Sequence, residues 1–424
     1  MFKTIVNAWR VKDIRTKILY TLLLVLLYRV GCAIPIPGVN VEAVANQLEN
    51  YAALGGFMNM FTGGAFQNYA IFCMGISPYI TGSIIMQLLT VAIPALERIS
   101  KQEDGRQKIE KITRYVGIGL AAVQSVGTVL ALGESAVYNT SWFTYVVIGA
   151  TATAGTAILM WMGEKISNKG IGNGVSFIIF SSIAANVLPA VVNVAQSALA
   201  GTILWVAIPI ILVIVLAMFL LVVAVDKAER RIPINYAKRV VGRKQYGGMS
   251  THLPLKANAN GVMPLIFAMT ILSVPTIIIE IAGEGWFATM WNAAFATGTV
   301  GYYILYPILI VGFAYFYSTI SFNPVEISRN LQQNGGSIMG IRPGKDTSLY
   351  LAKIVNRLTL FGAIFLAVIA VVPSLLFAFF SLDESLTALQ MFGPTSILIM
   401  ISVALESTSQ LDTMLLMRHH KGIL

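Results

Sequence analysis

The sequence predicts an all-α, polytopic membrane protein of ten transmembrane helices, and three observations carry that prediction. First, 56% of its 424 residues are hydrophobic and only 11% are charged, for a mean hydropathy of +0.75. A soluble domain carries roughly 25% charged residues, so this chain lacks the polar material to clothe a globule of its size. A soluble enzyme, a disordered chain and a disulfide-stapled secreted module all fit poorly. Second, ten runs supply the roughly 20 mostly apolar residues that a helix needs to cross the hydrocarbon core. Third, the basic residues fall on one face of that ten-span arrangement.

In chain order, Met1–Lys17 reads as a basic amphipathic arm bearing apolar Phe2, Ile5, Val6, Trp9 and Ile14. A basic segment precedes the first apolar run and no small-residue cleavage motif follows it, so no cleavable signal peptide is expected. The spans are expected at residues 18–34, 69–90, 113–132, 142–162, 175–195, 203–225, 261–281, 300–320, 359–380 and 391–410, with ends good to about three residues. Between the first two spans lies Leu54–Phe66, apolar but too short to cross. It holds the glycine pairs Gly55-Gly56 and Gly63-Gly64 around Phe57, Met58, Met60 and Phe61. Two readings stay open: a small mobile helix dipping back into the bundle on glycine hinges, or a surface helix lying in the headgroups.

An even number of spans puts both termini on one side. The arm holds five basic residues (Lys3, Arg10, Lys12, Arg15, Lys17), the loop after span 2 six, and the loop after span 4 Lys165 and Lys169. The loop after span 6 holds eight from Lys227 to Lys256, the loop after span 8 five from Arg329 to Arg357, and the tail Arg418 and Lys421. That is 28 of the 29 Lys and Arg; the other, Arg29, lies in span 1. The opposite loops hold no Lys or Arg and carry Glu42, Glu49, Glu134, Glu284, Asp383 and Glu384. The positive-inside rule therefore predicts both termini in the cytoplasm. A miscounted span would have scattered the basic residues over both faces.

Reactive chemistry is sparse. Cys32 and Cys73 sit in apolar runs without CxxC spacing, and His252, His419 and His420 lie in polar segments without HExxH spacing, so no metal site is expected. Pumps and ion-coupled carriers keep ionisable groups at mid-membrane depth. Here the spans hold almost none: Arg29, Glu280 and Glu406 lie near span ends, where snorkelling or a helix–helix pair explains them. Gly170-Ile-Gly-Asn-Gly174 follows no strand, and Gly340-Ile-Arg-Pro-Gly-Lys345 is one residue short of a phosphate loop, with Asp346 where Ser or Thr would hold Mg²⁺. No cofactor and no enzymatic activity are expected, and any work on a substrate must draw its energy from a partner. The long basic loops 226–258 and 321–358 are solvated loops by default. Set beside short outer loops, they read as a docking face that steers an anionic partner, acidic protein or ribosomal RNA.

An ordered set of motifs then carries a resemblance. Pro35-Ile-Pro-Gly38, Gly75-Ile-Ser-Pro-Tyr-Ile-Thr-Gly-Ser-Ile-Ile-Met-Gln-Leu-Leu89, Gly170–Gly174, Arg230-Arg-Ile-Pro-Ile-Asn-Tyr-Ala-Lys-Arg239, Ser250-Thr-His-Leu-Pro-Leu-Lys256 and Gly340-Ile-Arg-Pro-Gly344 together resemble the SecY family. These are the large subunits of bacterial Sec protein-conducting channels, and the similarity runs over nearly the whole chain. It implies a channel in the bacterial plasma membrane that passes unfolded secretory preproteins outward, recognises their signal peptides and releases apolar segments sideways into the lipid bilayer. The implied partners are SecE and SecG in a heterotrimer, with the motor ATPase SecA or the ribosome as driver. The implied fold is a clamshell of two five-helix halves, 1–200 and 201–424, related as an inverted repeat.

The resemblance also assigns residues. Ile76 and Ile80 on span 2, Val175 and Ile179 on span 5, Ile266 on span 7 and Ile399 on span 10 would form the pore ring, each pair four residues apart on one helix face. Val175 departs from an all-isoleucine ring. Without the resemblance these are six aliphatic residues that core or lipid contact would explain. Gly55, Gly56, Phe57, Met58, Met60, Phe61, Gly63 and Gly64 match the plug by position. Gln87 and Thr90, Gln124 and Thr128, Thr270 and Ser273 fall on the helices of the implied lateral gate. They would either hydrogen-bond across the seam, at about 0.6 kcal/mol each, or bond back to carbonyls of their own helices. Pro264 and Pro275 would hinge span 7. Arg342 matches the contact for SecA and ribosomes, and Arg230, Arg231, Arg239 and Lys256 match the neighbouring loop. The rival readings are a secondary transporter of an apolar solute and a poreless insertase-type scaffold.

Overall fold

The structure is a computed structural model, and it describes residues 2–50, 62–100, 102, 104–132, 136–199, 207–236, 239–241, 244–246, 250–282, 285–295, 299–379 and 394–421. The described residues are mostly helical. Ten helices of 16 residues or more occupy the ten segments expected to span. In chain order these are α2 (Lys12–Ala33), α4 (Ser77–Ala92), α6 (Gly105–Leu132), α7 (Trp142–Lys169), α8 (Gly174–Leu199), α9 (Ala207–Lys227), α10 (Met263–Ala282), α12 (Val300–Ser321), α14 (Lys345–Phe379) and α15 (Pro394–Lys421). Shorter helices intervene: α1 (Phe2–Arg10), α3 (Val41–Asn50), α5 (Pro94–Ser100), α11 (Trp286–Phe295) and α13 (Pro324–Gln333). Among the described residues, four helical stretches are long and apolar enough to cross a membrane by length and composition alone: Lys12–Ala33, Trp142–Lys169, Val300–Gln333 (α12 with α13) and Lys345–Val372. The pair α4 and α5, bent by 104° at Ile93-Pro94, adds a fifth.

Three expectations about helix ends and hinges are corrected. Residues 69–76 are turns around a bridge from Ala70 to Pro35, not helix, because Gly75 takes φ +57 and Pro78 sits in the first turn of a helix that starts at Ser77. Proline is suited to a first turn, where its missing N–H has no partner to lose. Three helices overrun their apolar runs at one end: α6 begins at Gly105, α14 at Lys345, and α15 continues to Lys421. Pro264 falls in the first turn of α10, leaving Pro275 as its interior proline.

Packing falls into two groups of helices joined along two seams. In the first, α4, α6, α7 and α8 pack in succession and α2 lies against α7 and α8; in the second, α10, α12, α14 and α15 do the same, with α9 on α15. Between the groups, α10 lies against α4 and α6 on one side, and α15 lies against α8 on the other. Asp226, at the C-terminal end of α9, braces the second group: its carboxylate accepts from Asn258 Nδ2 at 3.1 Å and from Ser402 Oγ of α15 at 2.7 Å.

The two long basic loops are not merely loops. β1 (Glu229–Tyr236) pairs antiparallel with β4 (Ser250–Lys256) on one edge and with β5 (Gly336–Ile338) on the other, giving sheet order β4-β1-β5. β2 (Arg239–Val241) and β3 (Lys244–Tyr246) form a separate ribbon. The strand follows from the alternation in Arg231-Ile-Pro-Ile-Asn235: Ile232 and Ile234 are buried while Arg231 and Pro233 are exposed. With Leu255, Ile338, Leu351 and Val355 they form a small core that seats the sheet on the N-terminal part of α14.

Candidate functional site

The six ring candidates come from four helices and one helix cap, and they converge. Ile76, Ile80, Ile179, Ile266 and Ile399 are buried members of a single apolar cluster, and half-buried Val175 packs against it. That cluster draws on both helix groups, so these residues lie where the groups meet. Ile76 is the cap of α4 rather than part of its body. Its backbone is nonetheless helical (φ −96, ψ 0) and its carbonyl accepts from Ile80 N at 3.1 Å, so the two side chains keep the four-residue stack. On α8, Val175 and Ile179 are set by the start of the helix. Asn173 Oδ1 caps Val175 N at 3.1 Å, and Gly174 runs so close to Gly163 of α7 that a Cβ would collide with the Gly163 carbonyl.

The Gly170–Gly174 motif fixes that start. Thr21 of α2 accepts from Ile171 N at 3.2 Å, Gly172 takes φ +77, and its N–H donates to Gln410 of α15. Ile171 packs with Ala8, Ile14 and Leu411, so arm, first span, motif and last helix share one contact. The glycines are needed for close approach and a left-handed turn, not for a phosphate.

Of the plug candidates, Gly55, Gly56, Phe57, Met58, Met60 and Phe61 lie outside the described residues. Gly63 and Gly64 are described, with φ +64 and +91. Their turn is pinned by the first span. Tyr28 Oη donates to Thr62 O at 2.9 Å and meets Ser182 Oγ at 2.6 Å; Arg29 donates to Gly63 O at 3.1 Å and to Ser181 O. Among the described residues Arg29 has no acidic partner. It serves backbone carbonyls, and sequence reasoning missed this because carbonyls leave no mark in a sequence.

The gate candidates sit on helices that do face one another, α10 against α4 and α6, yet their hydroxyls turn inward on their own helices. Thr90 donates to Met86 O at 2.7 Å, Thr128 to Gln124 O at 2.8 Å, Thr270 to Ile266 O at 2.8 Å and Ser273 to Thr270 O at 2.8 Å. Among the described residues, these four hydroxyls take the second of the two readings and bond back to carbonyls of their own helices. Gln87 donates to Ser83 Oγ at 3.3 Å, leaving its Oε1 buried without a partner. Gln124 is buried.

The docking candidates are gathered by the sheet. Arg230 and Lys256 lie on adjacent antiparallel strands, and β5 leads directly into the turn carrying Arg342; all three are exposed. Arg231 is exposed but its fork is held by Glu229 at 2.6 Å. Arg239 lies on β2, and its side chain is outside the described residues. The Arg342 turn is stiff: Gly340 and Gly344 take φ +80 and +103, Thr347 Oγ1 donates to Arg342 O at 2.8 Å, and Ser328 Oγ donates to Gly344 O at 2.6 Å.

Comparison with known proteins decides the family. The family model described as SecY matches residues 70–408. The chain is 41% identical over 442 residues to the protein translocase subunit SecY of Streptomyces scabiei, covering 100% of both chains. It is 39% identical over 428 residues to that of Aquifex aeolicus, covering 98% of this chain and 97% of the relative.

The chain belongs to the SecY family.

As a SecY protein it is a multi-pass membrane protein and the pore-forming subunit of a translocon, a channel component and not an enzyme. The apolar-solute transporter finds no support. The fold agrees with a solved protein-conducting channel at a TM-score of 0.66 and 19% identity, over 93% of this chain and 91% of that one. It also agrees with Sec61 in a canine ribosome–channel complex at a TM-score of 0.61 and 18% identity, over 93% and 91%.

Proposed function

We propose that Ile76, Ile80, Val175, Ile179, Ile266 and Ile399 form the constriction through which an unfolded polypeptide passes. The observation that carries this is their convergence from both helix groups into one apolar cluster. A narrow neck of aliphatic side chains dewets and so excludes hydrated ions, while flexible isoleucines part around an extended chain. In this reading residues 1–200 and 201–424 are the two halves of a clamshell with ten spans. The seam of α10 with α4 and α6 opens toward lipid, and the contact of α15 with α8 is the hinge. The seam carries no interhelical bonds from Thr90, Thr128, Thr270 or Ser273 to break, which supports a low cost of opening.

The segment at 54–66 is the plug, and the Thr62–Gly64 turn held by Tyr28 and Arg29 is its fixed end. Both termini face the cytoplasm of the bacterial inner membrane, supported by the one-sided Lys and Arg. The stiff, basic sheet face of Arg230, Arg231, Arg239, Lys256 and Arg342 receives SecA or the ribosome. Arginine suits either, because its fork binds carboxylate or phosphate at two points. SecE and SecG complete the channel.

The test is a photoreactive residue at position 80 or 179 in the assembled complex, with a secretory chain arrested in transit. Crosslinks from both positions to the arrested chain are expected. Crosslinks only to lipid, or to other helices, contradict the constriction and favour a scaffold without a pore.

A further inference from the structure

α11 plays no part in the constriction, the seam or the docking face. It occupies the outer loop between α10 and α12, and no charged residue occurs from Gly285 to Val325. It is fastened to the start of α12. Thr299 Oγ1 donates to Ala294 O at 2.8 Å and accepts from Tyr302 N at 3.3 Å, and Gly301 passes so close to the Ala294 carbonyl that no side chain fits. On the inner face Phe287, Trp291 and Phe295 pack ring against ring, with centroids 6.4 and 5.0 Å apart, and Trp291 rests on the main apolar cluster.

The other face is open. Trp286 is 79% exposed and Met290 47%. On α12, packed against α11, Val300, Ile304 and Ile308 are likewise exposed and at four-residue spacing, so they form an apolar stripe along one face of that helix. An uncharged helix offering tryptophan and methionine to bulk water is a liability. The same helix suits the glycerol–carbonyl layer of a bilayer, where an indole finds an apolar bed for its ring and an acceptor for its N–H.

We infer that α11 is an interfacial anchor whose partner is the phospholipid of the outer leaflet, with Trp286 in the headgroup layer and the 300–304–308 stripe among acyl chains. Being fastened to α12, it fixes the depth of that helix, so the α10–α12 wall moves along the membrane plane and not across it. This rests on membership of a membrane-protein family and not on the pore reading.

The test places single nitroxide labels on the full chain in phosphatidylcholine–phosphatidylglycerol vesicles, at Met290→Cys, Ile304→Cys and, as an aqueous reference, Gln107→Cys. The native thiols Cys32 and Cys73 are buried. Collisions with oxygen and with an aqueous nickel chelate should place the 290 label within about 5–10 Å of the headgroup boundary and the 304 label deeper. A 290 label as open to nickel as the 107 label puts the helix in water and overturns the inference. A 290 label shielded from both reagents means protein covers it, which overturns it equally. Independently, Trp286→Phe should remove part of the fluorescence quenched by bromine placed high on the lipid tails; quenching unchanged by the substitution would also overturn it.

Discussion

The guanidinium of Arg29 donates to the carbonyl of Gly63 at 3.1 Å while also reaching the carbonyl of Ser181, so one charge on the first span ties the 62–64 turn to α8. Hydrogen bonds from a charged donor are worth about 1.5–3 kcal/mol each. Arg29→Met keeps the stem and removes the donors. It should raise amide hydrogen exchange over 62–66 by about tenfold or more, each 1.4 kcal/mol being a factor of ten. Exchange unchanged from the parent would show that the turn is held by other means. At Gly63 itself, a Cβ would stand 2.5 Å from the Arg29 guanidinium on a backbone with φ +64. Gly63→Ala should therefore loosen the same amides.

Close helix approach makes a second prediction. Gly174 abuts the Gly163 carbonyl, whereas nothing lies within 4 Å of a Cβ at Gly119 of α6. Gly174→Ala should cost about 1–3 kcal/mol through overpacking, and Gly119→Ala should gain up to about 1 kcal/mol from helix propensity. Thermal inactivation midpoints of the two variants in detergent should shift in opposite directions.

The partnerless Oε1 of Gln87 is a cost built into the seam. A buried unsatisfied acceptor is worth about 1–3 kcal/mol, and Gln87→Met or Gln87→Leu removes it at similar volume. Either should stabilise the packed seam and slow its opening, read as a lower rate of lateral release of a transmembrane segment into lipid. A faster release would show that Oε1 gains its partner in the packed state.

Arg342 stands on a turn clamped by Thr347 and Ser328, so its substitution should alter charge and leave the fold intact. Arg342→Glu should abolish SecA-driven export while assembly of the chain in the membrane is unchanged. Export at the parental rate would remove the docking claim.

The helical segments were legible because hydrocarbon imposes a length and a composition on them. What rests on non-local backbone pairing was not. The sheet is the main instance: Ile234 faces Ile338 across β1 and β5, and although Ile232 and Ile234 alternate with polar neighbours, nothing local names a partner about a hundred residues away. Arg29 was visible as a charge in a span, but its partners are carbonyls, which every residue has. The gate candidates are polar positions on helices that pack against one another, yet which way each hydroxyl turns depends on rotamer and helix geometry, not on residue type. The position of α11 was likewise hidden, since its uncharged run looks like any apolar loop.

The central claim is that an apolar waist shuts out salt while yielding to a peptide, and ion conductance through planar bilayers tests it most directly. Ile80→Asn puts an amide that binds water into the constriction, while Ile80→Leu keeps it aliphatic. The asparagine variant should show ion current with no substrate present, and the leucine variant should stay as tight as the parent. Equal, negligible conductance in all three would contradict the account.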